Sequence, residues 1–441
     1  MKAIILAGGV GKRMKSDLPK VLNIIGGKPM LHYVIEACLE AEIKDITVVI
    51  GQGGELVKKS VPYPVNYAWQ EQQLGTGHAA LCGAKDHVGP DDRVVILHGD
   101  VPLISAETIR NLMKFQQERQ VHAVVVSTTV PDPTGYGRII TTPTGELEAI
   151  IEQRDLSPEL MDINVINPAV YSFMGKELLY GLAQLNNNNS QQEYYLTDVP
   201  QIIAKAGSKV AVYHEPDFLQ FLGINSQKQL AEASAVLRNR IADRHFECGV
   251  TIIDPSNCYI DSDVEIGQEV ILHPGVVLRG KSKIGKGTEI KPYSVVESAQ
   301  IGEDCEIGPF AYIRPDTVIG DRCRIGDFVE VKNSCLGDNT KASHLAYIGD
   351  AAVGSGVNFG CGAITVNYDG ENKHKTVIES GAFIGSNVNL VAPVAVRSGA
   401  FVAAGSTIVD EVPAEAFSIA RQRQTTKADG AKKYKRNGEK L

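Results

Sequence analysis

Four groups of residues in this 441-residue chain have the types and spacing to do chemistry. A short apolar run, Lys2 to Ala7, breaks into Gly8-Gly9-Val10-Gly11-Lys12-Arg13, and Lys20 follows nearby. A strand that ends in glycines lets backbone N–H groups close around phosphate oxygens, with Arg13 and Lys20 as adjacent cations. The turn is neither a Walker loop nor a dinucleotide fingerprint, because no Gly-Lys-Ser/Thr closes it and the glycine spacing differs. Further on, Val94-Val95-Ile96-Leu97-His98-Gly99-Asp100 puts a carboxylate just past a buried strand. Magnesium takes few hard carboxylates plus substrate phosphates, so Asp100 is a candidate metal ligand, although aspartate also serves there as a turn residue. Gln70 and Leu74-Gly75-Thr76-Gly77 fit a base-reading position, since an amide hydrogen-bonds both ways to a pyrimidine edge and glycine permits close approach. In the second half, Arg314 and Lys332 stand three steps of six apart, and His344 follows. Two stacked cations repel unless an anion such as a sugar phosphate lies between them, and a histidine near a carboxylate can act as a general base. His273 and Lys291 share the same spacing, so solvated corner side chains are the competing explanation.

These residues need a scaffold, and in the second half the scaffold is a period of six. Ile301, Ile307, Ile313, Ile319, Ile325 and Val331 recur at that step, each with a small residue two positions earlier: Ala299, Cys305, Ala311, Thr317, Cys323 and Val329. The same rule covers Ile260 to Ile290 and Ile384 to Ile408. A period of six puts successive aliphatics on opposite sides of an α-helix, whereas positions i−2 and i share one face of a strand. The pattern predicts a parallel β-helix in which each hexad gives one short strand followed by a turn that glycine often opens. The sixes stop after Val331, because Leu336 comes five residues later, and resume at Ile384. The stretch between, with Asn367-Tyr368-Asp369-Gly370 and Lys373, is expected to leave the coil as a long loop.

In the first half, strand-like and helix-like segments alternate to about residue 215, which predicts a mostly parallel α/β sheet of Rossmann-like type with ligands at the carboxyl ends of its strands. Asn186 to Asn189 reads as a solvated loop. Leu230, Leu237, Ile241 and His245 follow helical spacing and predict one connecting helix. The boundaries expected are 1–225, 226–247 for the helix, and 248–441 for the β-helix with its tail. A net charge of −8 argues against a nucleic-acid binder, and no apolar run is long enough to span a membrane. The eight cysteines form no CxxC pair, and Cys258, Cys305 and Cys323 fall in small inward slots, so most are expected to be reduced core residues of a cytoplasmic protein.

The string LAGGVGKRMKSDLPKVL resembles the signature of the sugar-1-phosphate nucleotidyltransferases, Gly-x-Gly-x-Arg followed by Pro-Lys, at Gly9, Gly11, Arg13, Pro19 and Lys20. It departs from that family at Gly9, where Ala is common, and at Lys12, where Thr is usual. The hexads resemble the left-handed β-helix of the hexapeptide-repeat acyltransferases. Together with Arg314-Pro315, the segment ending at Lys332, SHLAYIGD and ITVNYDGENKHKT, nearly the whole chain is similar to the bacterial bifunctional N-acetylglucosamine-1-phosphate uridylyltransferase/glucosamine-1-phosphate N-acetyltransferase family. The resemblance implies that UTP and N-acetylglucosamine-1-phosphate are joined in the first domain, with Mg²⁺ on Asp100 and Asn225 and with Arg13 and Lys20 catalytic. Leu6, Ala7, Gly8, Gly9, Lys20, Gln70, Gly75, Thr76, Gly137, Glu152, Asn167 and Asn225 would bind the nucleotide and sugar, with Asn164 a rival to Asn167. It further implies acetyl transfer from acetyl-CoA to glucosamine-1-phosphate in the second domain, with His344 as base. Arg314, Lys332, Tyr347, Asn358, Asn367 and Tyr368 would line the sugar site, and Cys361, Ser386, Ala404 and Arg421 would face acetyl-CoA. Ser343 and Cys361 stand where Gly and Ala are common. A homotrimer is implied, as is a basic tail (Lys432, Lys433, Lys435, Arg436 and Lys440 against Asp429 and Glu439) lying near the coenzyme. The rivals are an enzyme with nucleotidyl transfer alone, its β-helix serving assembly or regulation, and a non-catalytic scaffold that binds nucleotide-sugars.

Overall fold

The computed structural model describes residues 1–9, 11–142 and 146–433, with only the backbone of Lys12. Val10 of the glycine turn, and Lys435, Arg436, Glu439 and Lys440 of the tail, lie outside the described residues. The chain divides into two compact units at Arg238 and Asn239, within one helix, Gln227–Glu247.

In the first unit, Lys2–Leu6 lies between Asp45–Ile50 and Arg93–His98, with Asn66–Trp69 outside, all parallel. Crossover helices Met30–Glu40 and Thr76–Lys85 make this arrangement possible. Val94, Val95 and Ile96 are fully buried because helices cover both faces, which is why these strands read as unbroken apolar runs. The expectation of a mostly parallel sheet fails beyond this half. Tyr171–Met174 runs antiparallel to Arg93–His98 and Ala123–Thr129, and Val165–Asn167, Gly137–Thr141 and Leu147–Ile151 continue antiparallel. Among the described residues between Ala123 and Met174 no α-helix crosses over, so neighbouring strands in that segment reverse; Val210–His214, arriving after helices, pairs parallel with Ala123–Thr129.

The second unit is a three-walled parallel β-helix, with ten, nine and eight short strands stacked in its walls. Each strand pairs with the one a coil further on, as Ile307 does with Ile325 and Ile313 with Val331. The expected aliphatics and their small partners point inward, from Ala299 and Ile301 to Val329 and Val331, all at most 4% exposed.

The predicted interruption after Val331 does not occur. Strands Lys341–His344, Tyr347–Gly349, Ala351–Val353, Asn358–Phe359, Ile364–Val366 and Thr376–Ile378 carry the coil straight through. Two things hid it from a search for sixes. The inward slots hold Ala342 and Thr365 instead of large aliphatics, and the steps from Val331 to Leu336 and Ile348 to Val353 are one residue short. A corner can lose a residue provided the next strand still pairs, as Ile319 with Leu336 does. Within this stretch the segment around Asn367 to Lys375 leaves the coil, closed by a bridge between Tyr368 and Lys373.

The glycines after the aliphatics also do something other than open turns. A Cβ on Gly285 would lie 2.4 Å from the carbonyl carbon and oxygen of Gly302 in the next coil. These glycines permit close stacking, while the left-handed turn residues come two positions later, at Asp304, Phe310, Asp316, Arg322 and Phe328. Half of the cysteine expectation also needs correcting. Cys38, Cys258, Cys305 and Cys323 are buried, but Cys248, Cys335 and Cys361 are exposed, and all are free thiols.

Gly285→Ala tests the stacking argument because its two effects oppose each other. Stiffening the unfolded chain favours alanine by about 0.4–1 kcal/mol, whereas overpacking against backbone costs about 1–3 kcal/mol. Thermal unfolding should show a lowered β-helix transition; a raised one would contradict the close contact.

Candidate active sites

The parallel strands of the first unit deliver their ends to one edge. Ala7 N–H donates to Val49 O, Gly99 N–H to Leu6 O and Gln70 N–H to Ile50 O. Around that edge is a cavity of about 280 Å³ lined by Leu6, Ala7, Gly8, Gly9, Lys20, Gln70, Gly75, Thr76 and Asp100, together with Gln73, His98 and Glu193. Gly75 is left-handed (φ 109°), and a Cβ there would lie 2.6 Å from Tyr194 O, so no other residue fits. Gln70 is buried; its Nε2 donates to Gly75 O at 3.1 Å and lies 3.3 Å from His78 Nδ1. Its Oε1 accepts no hydrogen bond from the described residues.

Asn225 reaches this edge from far along the chain because Ile224 N–H donates to Asp100 O. Lys20 Nζ forms an ion pair with the Asp100 carboxylate and donates to Asn225 Oδ1 at 3.0 Å. The two oxygens therefore already converge on a cation. Among the described residues no cluster of three His, Cys, Asp or Glu side chains could cage a metal. One carboxylate and one amide oxygen fit an ion that keeps waters and phosphate oxygens, as Mg²⁺ does. His98 is half-buried beside them; burial lowers its pKa first, with the Asp100 charge opposing, and its Nε2 has no partner among the described residues. Arg13 is exposed in the short turn Lys12–Met14 and does not line the cavity.

Gly137, Glu152 and Asn167 gather separately from that cavity. Gly137 pairs with Asn167 in the sheet, and a Cβ on Gly137 would lie 3.7 Å from Glu152 Oε2. Asn167 is buried and donates from Nδ2 to Tyr171 Oη at 2.7 Å. Its rival Asn164 contributes its carbonyl to Val130 N–H. The Thr197 hydroxyl donates to Glu152 Oε1 at 3.0 Å. Burial pushes the Glu152 carboxyl above its ordinary pKa, this hydrogen bond opposing and Asp198 and Asp155 adding. Tyr136 lies in the segment Asp132 to Ile139, which resembles a sugar-binding element of the family, but sequence reasoning gave it no role of its own: its half-buried phenol contacts the Gly223 backbone and feels the Asp100 charge, linking segments that no local spacing could pair.

In the β-helix, coil register does the assembling. Asp327 pairs with His344, and their side chains meet at 2.5 Å through Nδ1. Ala342 pairs with Phe359, which puts His344 beside Cys361 in the next coil. Asn387 N–H donates to Cys361 O and Gly405 N–H to Ser386 O, continuing the column through Ser386 to Ala404, whose carbonyl accepts from Arg421 Nη1 at 2.9 Å. Asp327, His344, Cys361, Ser386 and Ala404 thus form one column. Asp327 was missed because the coil from it to His344 is one residue short of three hexads, and a count in sixes passes over it.

On the second wall Arg314 N–H donates to Val331 O, so Arg314 and Lys332 stand in register as expected. Arg314 is paired with Glu330 at 2.7 Å. Lys373 comes back from the loop against Lys332, which lowers its pKa, with Asp350 and Tyr347 opposing. Asn367 Nδ2 donates to the Asp350 carboxylate and, at 3.4 Å, to Tyr347 Oη. Asn358 is half-buried in its strand, pairing with Lys341 and Phe383. Tyr368 is 57% exposed at the loop tip, where Asp369 accepts from the Asn372 and Glu371 amides and meets His374 at 2.6 Å. Lys432, in the described part of the tail, pairs with Asp429.

A carboxyl whose pKa rises on folding binds its proton more tightly in the native state, so native stability falls as pH climbs above the unfolded value of about 4.3. Glu152→Gln, which keeps an oxygen for Thr197, should therefore raise the first unit's thermal midpoint at pH 8 and lose that advantage at pH 4. An equal midpoint difference at both pH values would contradict the burial argument.

Residues 3–197 match the model of the MobA-like NTP transferase domain, and residues 263–298 and 298–333 match bacterial transferase hexapeptide (six repeats). The β-helix is accordingly the left-handed form. The chain is 48% identical over 442 residues to the bifunctional protein GlmU of Clostridium botulinum (strain Langeland), covering 96% of each chain. It is 45% identical to bifunctional protein GlmU of Brevibacillus brevis, covering 99% of this chain and 98% of that one. It is 45% identical to the Clostridioides difficile protein of the same name, over 97% and 96%. With full-length matches at this identity, and with both halves matching their own domain models, the chain belongs to the bifunctional GlmU family.

Proposed function

We propose that the chain makes UDP-N-acetylglucosamine in two reactions, acetylating glucosamine-1-phosphate with acetyl-CoA and then joining the N-acetylglucosamine-1-phosphate to UTP. The observation that carries the acetyl-transfer half is the His344–Asp327 pair at the head of the column through Cys361, Ser386 and Ala404. Asp327 accepts from Nδ1 and fixes the imidazole, leaving Nε2 to take a proton from the sugar amine. The amine nitrogen attacks the thioester carbonyl, the C–S bond breaks, and CoA leaves as the thiol. Cys361, Ser386 and Ala404, with Arg421 reaching back, give an extended coenzyme a continuous edge to lie along. Lys332 and Lys373, held close despite like charge, call for an anion, and the sugar phosphate is one, with Arg314 in the adjoining coil. Tyr347, Asn358, Asn367 and Tyr368 complete that sugar site.

In the first unit, the free Gln70 Oε1 accepts from a base that presents an N–H at its pairing edge, as uracil does, and Gly75 and Thr76 lie alongside. The amides of Gly8 and Gly9 and the Lys20 ammonium receive the phosphates; Arg13 joins them when its exposed turn meets the nucleotide. Gly137, Glu152 and Asn167 receive the sugar. A sugar-phosphate oxygen attacks the α-phosphorus of UTP and pyrophosphate leaves. Mg²⁺, held by Asp100 and Asn225 Oδ1, supplies charge neutralisation at the phosphates when bound.

The partners are small molecules, and no described helix is long and apolar enough to cross a membrane. We assign a homotrimer through the β-helix, supported by the exposed ring ladder Tyr293–Phe310–Phe328, with centroids 5.4 and 5.3 Å apart along one corner. Single exposed rings are ordinary, but a stacked row is a contiguous apolar strip suited to a cyclic interface.

Separability tests the two reactions. Asp100→Ala should lower pyrophosphate release by about 100-fold or more while thiol release from acetyl-CoA persists, and His344→Ala should lower thiol release by about 100- to 10,000-fold while pyrophosphate release persists. Loss of both activities in either folded variant would refute two sites. Phe310→Asp should shift the protein from trimer to monomer by light scattering; an unchanged trimer would remove the ladder from the interface.

A further inference from the structure

Arg138, on the strand Gly137–Thr141, is only 2% exposed, yet it has no described carboxylate within ion-pair distance. Burial pulls its pKa below the ordinary arginine value, with the Asp132 charge partly opposing. A buried cation costs far more than an apolar side chain of similar length, so its position calls for something only a guanidinium supplies. Nη1 donates to Tyr136 O, and Nη2 donates to Gln153 Oε1 at 3.0 Å. That same Oε1 accepts from Gly135 N–H at 3.2 Å. One planar fork therefore ties the Tyr136 carbonyl to Gln153, whose Oε1 also holds the Gly135 amide, which a flexible ammonium could not do.

Tyr136 and Gln153, which the fork joins, each adjoin one of the residues facing the sugar. Gly137 follows Tyr136 and pairs with Asn167; Glu152 precedes Gln153 and is held by Thr197. The Tyr136 phenol contacts Gly223, two residues before Asn225. A slack turn would move all of these together, away from Asp100 and Asn225.

We propose that Arg138 and Gln153 are positioning residues for the uridylyl-transfer reaction, a clamp that fixes Tyr136, Gly137 and Glu152 to receive the sugar phosphate without touching it. The clamp rests on the functional reading above, so wild-type pyrophosphate release from UTP and N-acetylglucosamine-1-phosphate is measured first; a wild type that releases none overturns that reading, and the clamp with it. Arg138→Lys keeps the charge and loses the fork, and Gln153→Ala keeps the guanidinium and loses the shared acceptor. Each should raise the KM for N-acetylglucosamine-1-phosphate about tenfold or more, the size of a lost charge-assisted hydrogen bond, with the KM for UTP within about twofold. Acetyl transfer by the same preparations should stay at the wild-type rate, which reports that the second unit has folded, while the thermal midpoint of the first unit reports on its own fold. The double variant should be little worse than Arg138→Lys alone, because both changes break one network.

An unchanged sugar-phosphate KM in both variants would overturn the clamp. So would equal rises in the KM values of both substrates that track a lowered thermal midpoint, which is what a purely structural role predicts. If Arg138→Lys fails to fold, Gln153→Ala decides the matter, since Gln153 is only half-buried.

Discussion

Backbone pairing between successive coils is the constraint on which the second unit depends. The inter-coil bonds are short and repeat without a gap, as from Leu345 N–H to Asp327 O at 2.9 Å and Asn387 N–H to Cys361 O at 2.8 Å. Each buried amide left unpaired would cost about 1–3 kcal/mol, so the chain adjusts coil length before it gives up a pairing. That is why one corner drops a residue three times, at Val296 to Ile301, Val331 to Leu336 and Ile348 to Val353, and why Thr365 to Ile378 runs long. In every case the next inward side chain returns to its wall. The result is that residues one coil apart become lateral neighbours whether that coil is short, full or long, and a column of unrelated residue types can face one ligand.

The first unit meets the same need by a different rule. Parallel pairing of four strands, Asn66–Trp69, Asp45–Ile50, Lys2–Leu6 and Arg93–His98, aligns their ends, so the glycine turn, Gln70 and Asp100 arrive at one edge without any contact between their side chains having to be encoded locally. Two further ties bring distant chain to that edge: Ile224 N–H to Asp100 O, and the phenol of Tyr136 to Gly223. Electrostatics completes the arrangement. Lys20 sits between Asp100 and Asn225, so three groups suited to a metal and phosphates already balance one another.

How much was legible in the sequence follows from these two rules. The β-helix was readable wherever Ile, Leu or Val filled the inward slot, and it vanished from view where Ala342 and Thr365 did so, although backbone pairing there is unchanged. Arg314 and Lys332 could be placed by counting full coils, but Asp327 could not, because its coil to His344 is a residue short. In the first unit the glycine turn and Asp100 announce themselves as strand ends. Asn225, Tyr136 and Arg138 do not, since what places the first two is tertiary contact between distant parts of the chain, and what marks the third is burial. The antiparallel half was misread because apolar strand runs look alike whichever way their neighbours point.

Coil register and the acetyl-transfer site can be tested together in one covalent experiment. Cys361 and Ser386 are both exposed and occupy the same column one coil apart, within reach of a disulfide. Mild oxidation of Ser386→Cys should join the new thiol to Cys361 in peptide mapping, abolish acetyl transfer until reductant is added, and leave pyrophosphate release intact. Failure of these two positions to cross-link would contradict the register, and a cross-linked protein that still acetylates would contradict the site.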